Sequence, residues 1–164
     1  METKQEEICC PPFDPVPWDG TQHQWSGKRF IKDRICTVLY MPLNFGGVMR
    51  RTDKLIKSAR GSVPDYLMLS EHTSKWNMDI YIAVDKEIQG AQNTTLSGAF
   101  VSKVYEGQFK ETGNWHKDFG QWSAMQSYKT GKRFMWYTTC PKCAKKYGNN
   151  YVVIMAQLDN NILT

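Results

Sequence analysis

Hydrophobic and polar positions change period along this chain, and each change marks an element. In residues 31–40, Ile31, Asp33, Ile35, Thr37 and Leu39 fall on one face and Lys32, Arg34, Cys36, Val38 and Tyr40 on the other, the period of a β-strand. After Asn44, which has N-cap chemistry, Phe45, Val48, Met49, Thr52, Leu55, Ile56 and Ala59 recur three and four apart and predict an amphipathic helix. Gly61 and Pro64 then break the pattern. Strands are predicted near 65–71 and 77–84, followed by a loop at Gly90 and Asn93 and a long strand over 95–105. Trp115, Phe119, Trp122 and Met125 have helical spacing within 111–128, Thr130-Gly131 ends that helix, and two last strands surround residues 140–148.

These elements form a repeat. Val38-Leu39-Tyr40, an amphipathic segment, Asp65-Tyr66-Leu67-Met68-Leu69 and Met78-Asp79-Ile80-Tyr81-Ile82 match a second series. That series is Lys103-Val104-Tyr105, another amphipathic segment, Arg133-Phe134-Met135-Trp136-Tyr137 and Asn149-Asn150-Tyr151-Val152-Val153-Ile154, displaced by roughly 65 to 70 residues. Each copy, about 31–85 and about 95–158, is strand, helix, strand, strand. Neither copy can bury a face alone. The predicted fold is therefore α+β: one antiparallel sheet with two helices on one face and a shared ligand cleft.

Residues 1–29 differ in composition. Cys9-Cys10-Pro11-Pro12-Phe13-Asp14-Pro15-Val16-Pro17-Trp18 is too rich in proline for a helix, and with Trp25 it carries rings that a solvated tail would not. An extended arm packed on a domain of residues 30–164 is expected. At 164 residues and 41% hydrophobic, the chain suits a single core. The net charge of +5 is spread or paired (Arg50-Arg51, Lys145-Lys146), which argues against nucleic acid as partner. No apolar run is long enough to span a membrane, and the acidic start Glu2-Thr3-Lys4-Gln5-Glu6-Glu7 is unlike a signal peptide, so a cytoplasmic protein is expected. Oligomeric state is left open.

Four cysteines form two tight pairs, Cys9-Cys10 and Cys140-Cys143. The Cys-Pro-Lys-Cys spacing lets both thiolates reach one tetrahedral centre, and a structural zinc shared by Cys9, Cys10, Cys140 and Cys143 would also hold the arm down. A redox pair and inert thiols are the alternatives. The redox form normally opens a helix after a strand, and Gly148 and the strand after it leave no room for a long helix. Cys36 alternates inside a strand and reads as core or pocket lining.

No nucleophile elbow, phosphate loop or His-Glu-x-x-His helix occurs. Strand parity offers a pocket instead. Trp76, Met78, Ile80, Ile82 and Val84 make an apolar face, whereas Asn77, Asp79, Tyr81 and Ala83 make a mixed face suited to a ligand. Tyr40, Tyr105, Glu106, Trp136 and Tyr137 at strand ends could close the same cleft, with His72 and Trp76 in the loop Glu71-His72-Thr73-Ser74-Lys75-Trp76 at its edge.

Met78-Asp79-Ile80-Tyr81-Ile82-Ala83-Val84-Asp85, then Leu96-Ser97-Gly98-Ala99-Phe100, then Tyr105-Glu106-Gly107-Gln108-Phe109 before an aromatic helix resembles the GyrI-like small-molecule-binding family over roughly residues 30–158. The Cys-Cys-Pro-Pro-Phe-Asp-Pro arm and the Thr-Thr-Cys-Pro-Lys-Cys-Ala-Lys-Lys-Tyr-Gly loop are similar to those of a bacterial group of hydrolases. The GyrI-like resemblance implies an amphipathic, often cationic, ligand between aromatic walls near an acid, which some members use for hydrolysis. In that family the acid stands just ahead of the last strand's aromatic, where this chain has Asn149 or Asn150. The remaining carboxylates for the role are Asp79, its equivalent in the first repeat, Glu71 and Glu106. Three functions follow: a hydrolase of an apolar or aromatic small molecule, a non-catalytic drug-sequestering module, or a gyrase-inhibitor-type interaction protein.

Overall fold

β1 (Thr21–Val38) is long enough to pair with different strands along its length, and this sets the architecture. The computed structural model describes residues 10–159. The first part of β1 pairs antiparallel with β5 (Gln92–Glu106), from Thr21↔Ser102 to Lys32↔Gln92, and its later part pairs with β4 (Asn77–Ala83), from Phe30↔Ala83 to Cys36↔Asn77. Residues 21–29, read from sequence as arm, are thus already strand. Gly27, at φ +62, supplies the left-handed step of an irregularity between Trp25 and Lys28 that bends β1 from one neighbour to the other.

The other elements complete a ring. β2 (Met41–Pro42) is a short return on the end of β1, and α1 (Phe45–Ser58) follows it. Then come β3 (Met68–Ser74), β4, β5, α2 (Thr112–Met125), β6 (Thr130–Tyr137), α3 (Pro141–Tyr147) and β7 (Tyr151–Leu158). The sheet runs β1-β4-β3-β6-β7-β5 and returns to β1, with every pairing antiparallel. The predicted antiparallel sheet with a cleft closes into a barrel, because long β1 and β5 bond to one another and leave no free edge between the two halves. The β3–β6 seam is the shortest, with Ser70↔Met135 as its register pair.

Period-two alternation fills the inside and furnishes the outside. Phe30, Leu67, Leu69, Tyr81, Phe100, Phe134, Trp136, Val153 and Met155 form the interior core. Ile31, Ile35, Met78, Ile80 and Ile82 point outward and pack under Val48 and Ile56 of α1. Val101, Met135, Val152, Ile154 and Ala156 do the same under Trp115 and Phe119 of α2. Both helices therefore cover the outer face, and each fully buried large apolar side chain contributes about 1.5–3 kcal/mol.

Local departures have local causes. Asn44 stands at the N-cap of α1, but its side-chain oxygen accepts the Cys36 N–H at 2.9 Å, stitching the helix start to β1 without capping the helix. Met125 is 83% exposed because α2 ends there and the chain turns at Ser127, φ +58. α3 was not expected. Pro141 at its first turn and Gly148 in the left-handed region just past its end give it a start and a stop within seven residues. Among the described residues no helix is long and apolar enough to cross a membrane.

Candidate functional site

One mouth of the barrel is lined by charge. Register opposes Lys32 to Tyr81, Arg34 to Asp79 and Asp79 to Glu71, and all of these share the inward parity of Tyr81. Lys132 joins them from β6, two residues before inward-facing Phe134. Asp79 is only 3% exposed. Arg34 Nε donates to it at 3.0 Å and Lys32 Nζ lies 3.4 Å away. Burial by itself would raise the Asp79 carboxyl, but the Arg34 hydrogen bond and the two cations outweigh burial and hold it below the usual carboxylate range. Lys132 Nζ is 3.0 Å from Glu71.

The two lysines share a floor. Lys32 Nζ stands 5.4 Å from the Tyr81 ring centroid, and Lys132 Nζ is 6.0 Å from that ring and 5.7 Å from Phe134. Partial burial pushes both ammonium groups down, yet each ends above its ordinary value, Lys32 through Tyr81 and Asp79 and Lys132 through Glu71. A cavity of about 370 Å³ opens beside Lys32, Asp33, Arg34, Asp79 and Gln92. Lys32, Arg34 and Lys132 against Asp79 and Glu71 leave one excess positive charge over an aromatic floor. Such a mouth can accept a small anion, orient water on a carboxylate and stabilise a developing negative charge.

The opposite end is closed by the arm. Phe13 and Trp18 meet the Trp136 ring edge-on, at 5.2 and 4.9 Å between centroids. The Ser102 hydroxyl donates to the Trp18 carbonyl at 2.6 Å and lies 2.7 Å from His23 Nε2. A second cavity, about 250 Å³, lies among Pro11, Pro12, Phe13, Asp14, Asp65, Tyr66, Trp136 and Thr138. Beside it, the Sγ atoms of Cys10, Cys140 and Cys143 lie within 4.8 Å of one another and could hold a metal ion. Cys9 lies outside the described residues. The Cys-Pro-Lys-Cys segment opens a helix after a strand, though a short one of seven residues, since Cys140 is the N-cap of α3. Spacing within α3 therefore does not separate metal binding from thiol exchange, and the third thiol, Cys10, is the added fact.

A model of the bacterial hydrolase family matches residues 1–158. The chain belongs to the bacterial hydrolase family. No curated protein matches it. In this bacterial hydrolase family member, the residues chosen from sequence do not line one cleft. Glu71, Asp79 and Tyr81 meet at the charged mouth. Trp136 is buried at the arm end, whereas Tyr137, its strand neighbour, faces outward against Phe109, with 4.9 Å between ring centroids. Burial raises the Tyr137 phenol. Tyr105 also faces outward, stacks on Trp115 at 5.8 Å and donates its hydroxyl to Asp118 at 2.7 Å. Burial and that carboxylate push its phenol far up.

Glu106 is exposed at the end of β5. Tyr40 and His72 meet edge-on at 5.3 Å on the outer surface, and Trp76 is 50% exposed in the β3–β4 turn. Cys36, expected in core or pocket, is exposed near the end of β1, where the strand runs past the barrel wall. Sequence reasoning missed Lys32, Arg34 and Lys132 in the family member's charged mouth. Their signal was present, because Lys32 and Arg34 occupy the face of β1 opposite Ile31 and Ile35, but an open sheet would have sent that face to solvent.

Proposed function

We propose that this protein hydrolyses a small molecule with an apolar or aromatic body and an anionic group, at the charged mouth of the barrel. The observation that carries this is Glu71 beside buried Asp79 across the β3–β4 register, with Lys32 and Lys132 over Tyr81. A closed barrel filled with aliphatic side chains would be more economical than one that desolvates a carboxylate, so the charges argue for a task. Glu71 orients and deprotonates the attacking water. Lys132, 3.0 Å from Glu71, stabilises the oxyanion. Arg34 and Lys32 hold Asp79 and fix the substrate's anionic group, while Tyr81 and Phe134 support its ring.

The family name supports the reaction class, and the recurrence of strand-helix-strand-strand, interrupted by β2 in the first copy and by α3 in the second, supports a GyrI-like duplication. In this reading the metal at the cysteine group is zinc, completed by Cys9, with a structural role. A second reading, a binding module without turnover, draws on Asp79 being neutralised by Arg34 and Lys32 and Glu71 by Lys132.

A panel of carboxylate-bearing aryl esters and amides separates the two. Hydrolysis by the wild type that falls by about two to four orders of magnitude in Glu71→Gln, with an unchanged circular dichroism spectrum, is the expected result. Binding of the panel without turnover would overturn hydrolysis and establish the second reading.

A further inference from the structure

Cys10 and Cys140 lie 130 positions apart in sequence, yet the Cys140 N–H donates to Cys10 Sγ at 3.4 Å. Tyr147 at the far end of α3 donates its hydroxyl to the Cys10 carbonyl at 2.6 Å. Two elements thus position one thiol against two others. Cys143 is 2% exposed, and one helical turn brings it to the side of α3 that carries Cys140. Thiolates around a tetrahedral ion with bonds of about 2.3 Å stand roughly 3.8 Å apart, so the observed spacing within 4.8 Å needs only a small contraction.

The surroundings state what such an ion would do. Between Cys10 and Trp18 the arm joins no strand, and Pro11, Pro12, Pro15 and Pro17 remove four backbone donors from it. Its polar ties to the barrel gather at its two ends: Tyr147 on Cys10, and Ser102 on Trp18 with Asp19 Oδ1 accepting the Val104 N–H at 3.1 Å. Between those ties lie Phe13 and the cavity wall, which close the barrel over Trp136. The three thiols sit where the arm meets α3, so an ion there would add to the hydrogen bonds that Tyr147 and Cys140 make to Cys10.

We propose that Cys10, Cys140 and Cys143 bind one thiophilic divalent ion and that this ion fastens the arm over the barrel end as its plug. Binding exchanges thiol protons, released to solvent, for metal–sulfur bonds, with no change of oxidation state. The inference rests on the zinc reading of the cysteine group for the ion's identity. It is independent of hydrolysis at the opposite mouth.

The test uses the full chain, purified without chelator. Elemental analysis should find about one equivalent of metal, and cobalt substitution should give thiolate-to-cobalt charge-transfer bands. Cys10→Ser and Cys143→Ser should lose both signals, and Cys36→Ser should keep them. Chelation should speed proteolytic cleavage within residues 11–20 by about tenfold or more and red-shift tryptophan emission as Trp18 leaves Trp136. Wild type that holds no metal and takes up neither zinc nor cobalt overturns the ion and the fastening together. Metal retained by Cys10→Ser, or an arm equally protected after chelation, overturns the fastening and leaves the zinc reading standing.

Discussion

Lys32 and Lys132 reach over the same ring from strands that do not touch. Their ammonium nitrogens lie 5.4 and 6.0 Å from the Tyr81 centroid, one arriving from β1 and the other from β6, with β4 and β3 between them in the sheet. Each ammonium opposes the other's charge. Tyr81, Asp79 and Glu71 more than offset that cost, since both ammonium groups end above their ordinary value, and an incoming anion would add to the attraction.

A small aromatic carboxylate should therefore bind at this mouth. Benzoate titrated calorimetrically into the wild type is expected to bind, and Lys132→Gln should weaken it by about tenfold, or 1.4 kcal/mol, the scale of one charge-assisted contact at a partly exposed site. Equal affinity in the two proteins would exclude Lys132 from the site.

Asp79 predicts a pH dependence with a definite sign. Its carboxyl is depressed in the folded protein, so it contributes stability above the unfolded value, near pH 4, and this is lost as pH falls through the folded value. Asp79→Asn should lower stability by about 1–3 kcal/mol at neutral pH, at the low end for a broken buried pair because Arg34 remains 61% exposed. Denaturant melts of both proteins should converge as pH drops from about 6 to about 2. A penalty independent of pH would show that packing, not charge, is what the substitution removes.

Adjacent residues on β6 should differ widely in what substitution costs. Trp136 is buried inside against Phe13 and Trp18, and Trp136→Ala is expected to cost about 3–5 kcal/mol. Tyr137→Phe removes a hydroxyl whose contact is Met135 Sδ at 3.8 Å, and should change stability by about 0.5 kcal/mol or less. Urea unfolding midpoints at constant slope are the measurement. Similar losses at both positions would contradict the inside-outside assignment of the strand.

Sequence alone determined what depends on neighbours along the chain. Alternation separated Met78, Ile80 and Ile82 from Asp79 and Tyr81, and those two faces do pack differently, the first under α1 and the second inside. Helical spacing placed α1 and α2, and the close pairing of cysteines marked a group of which Cys10, Cys140 and Cys143 do meet. The expectation that Trp136 and Tyr137 close one cleft failed, because adjacent residues of a strand face opposite sides and β6 sends the first inward and the second outward. Tertiary structure decided which side of the sheet became an interior. Closure through the β1–β5 pairing turned the face of Lys32 and Arg34 from solvent toward the barrel, and brought Lys132 and Glu71 across the mouth to meet it. Closure depends on pairings between residues far apart in sequence. No local period encodes such a distance, so the charged mouth could not be read from β1 alone, nor the meeting of Cys10 with Cys140 from either segment.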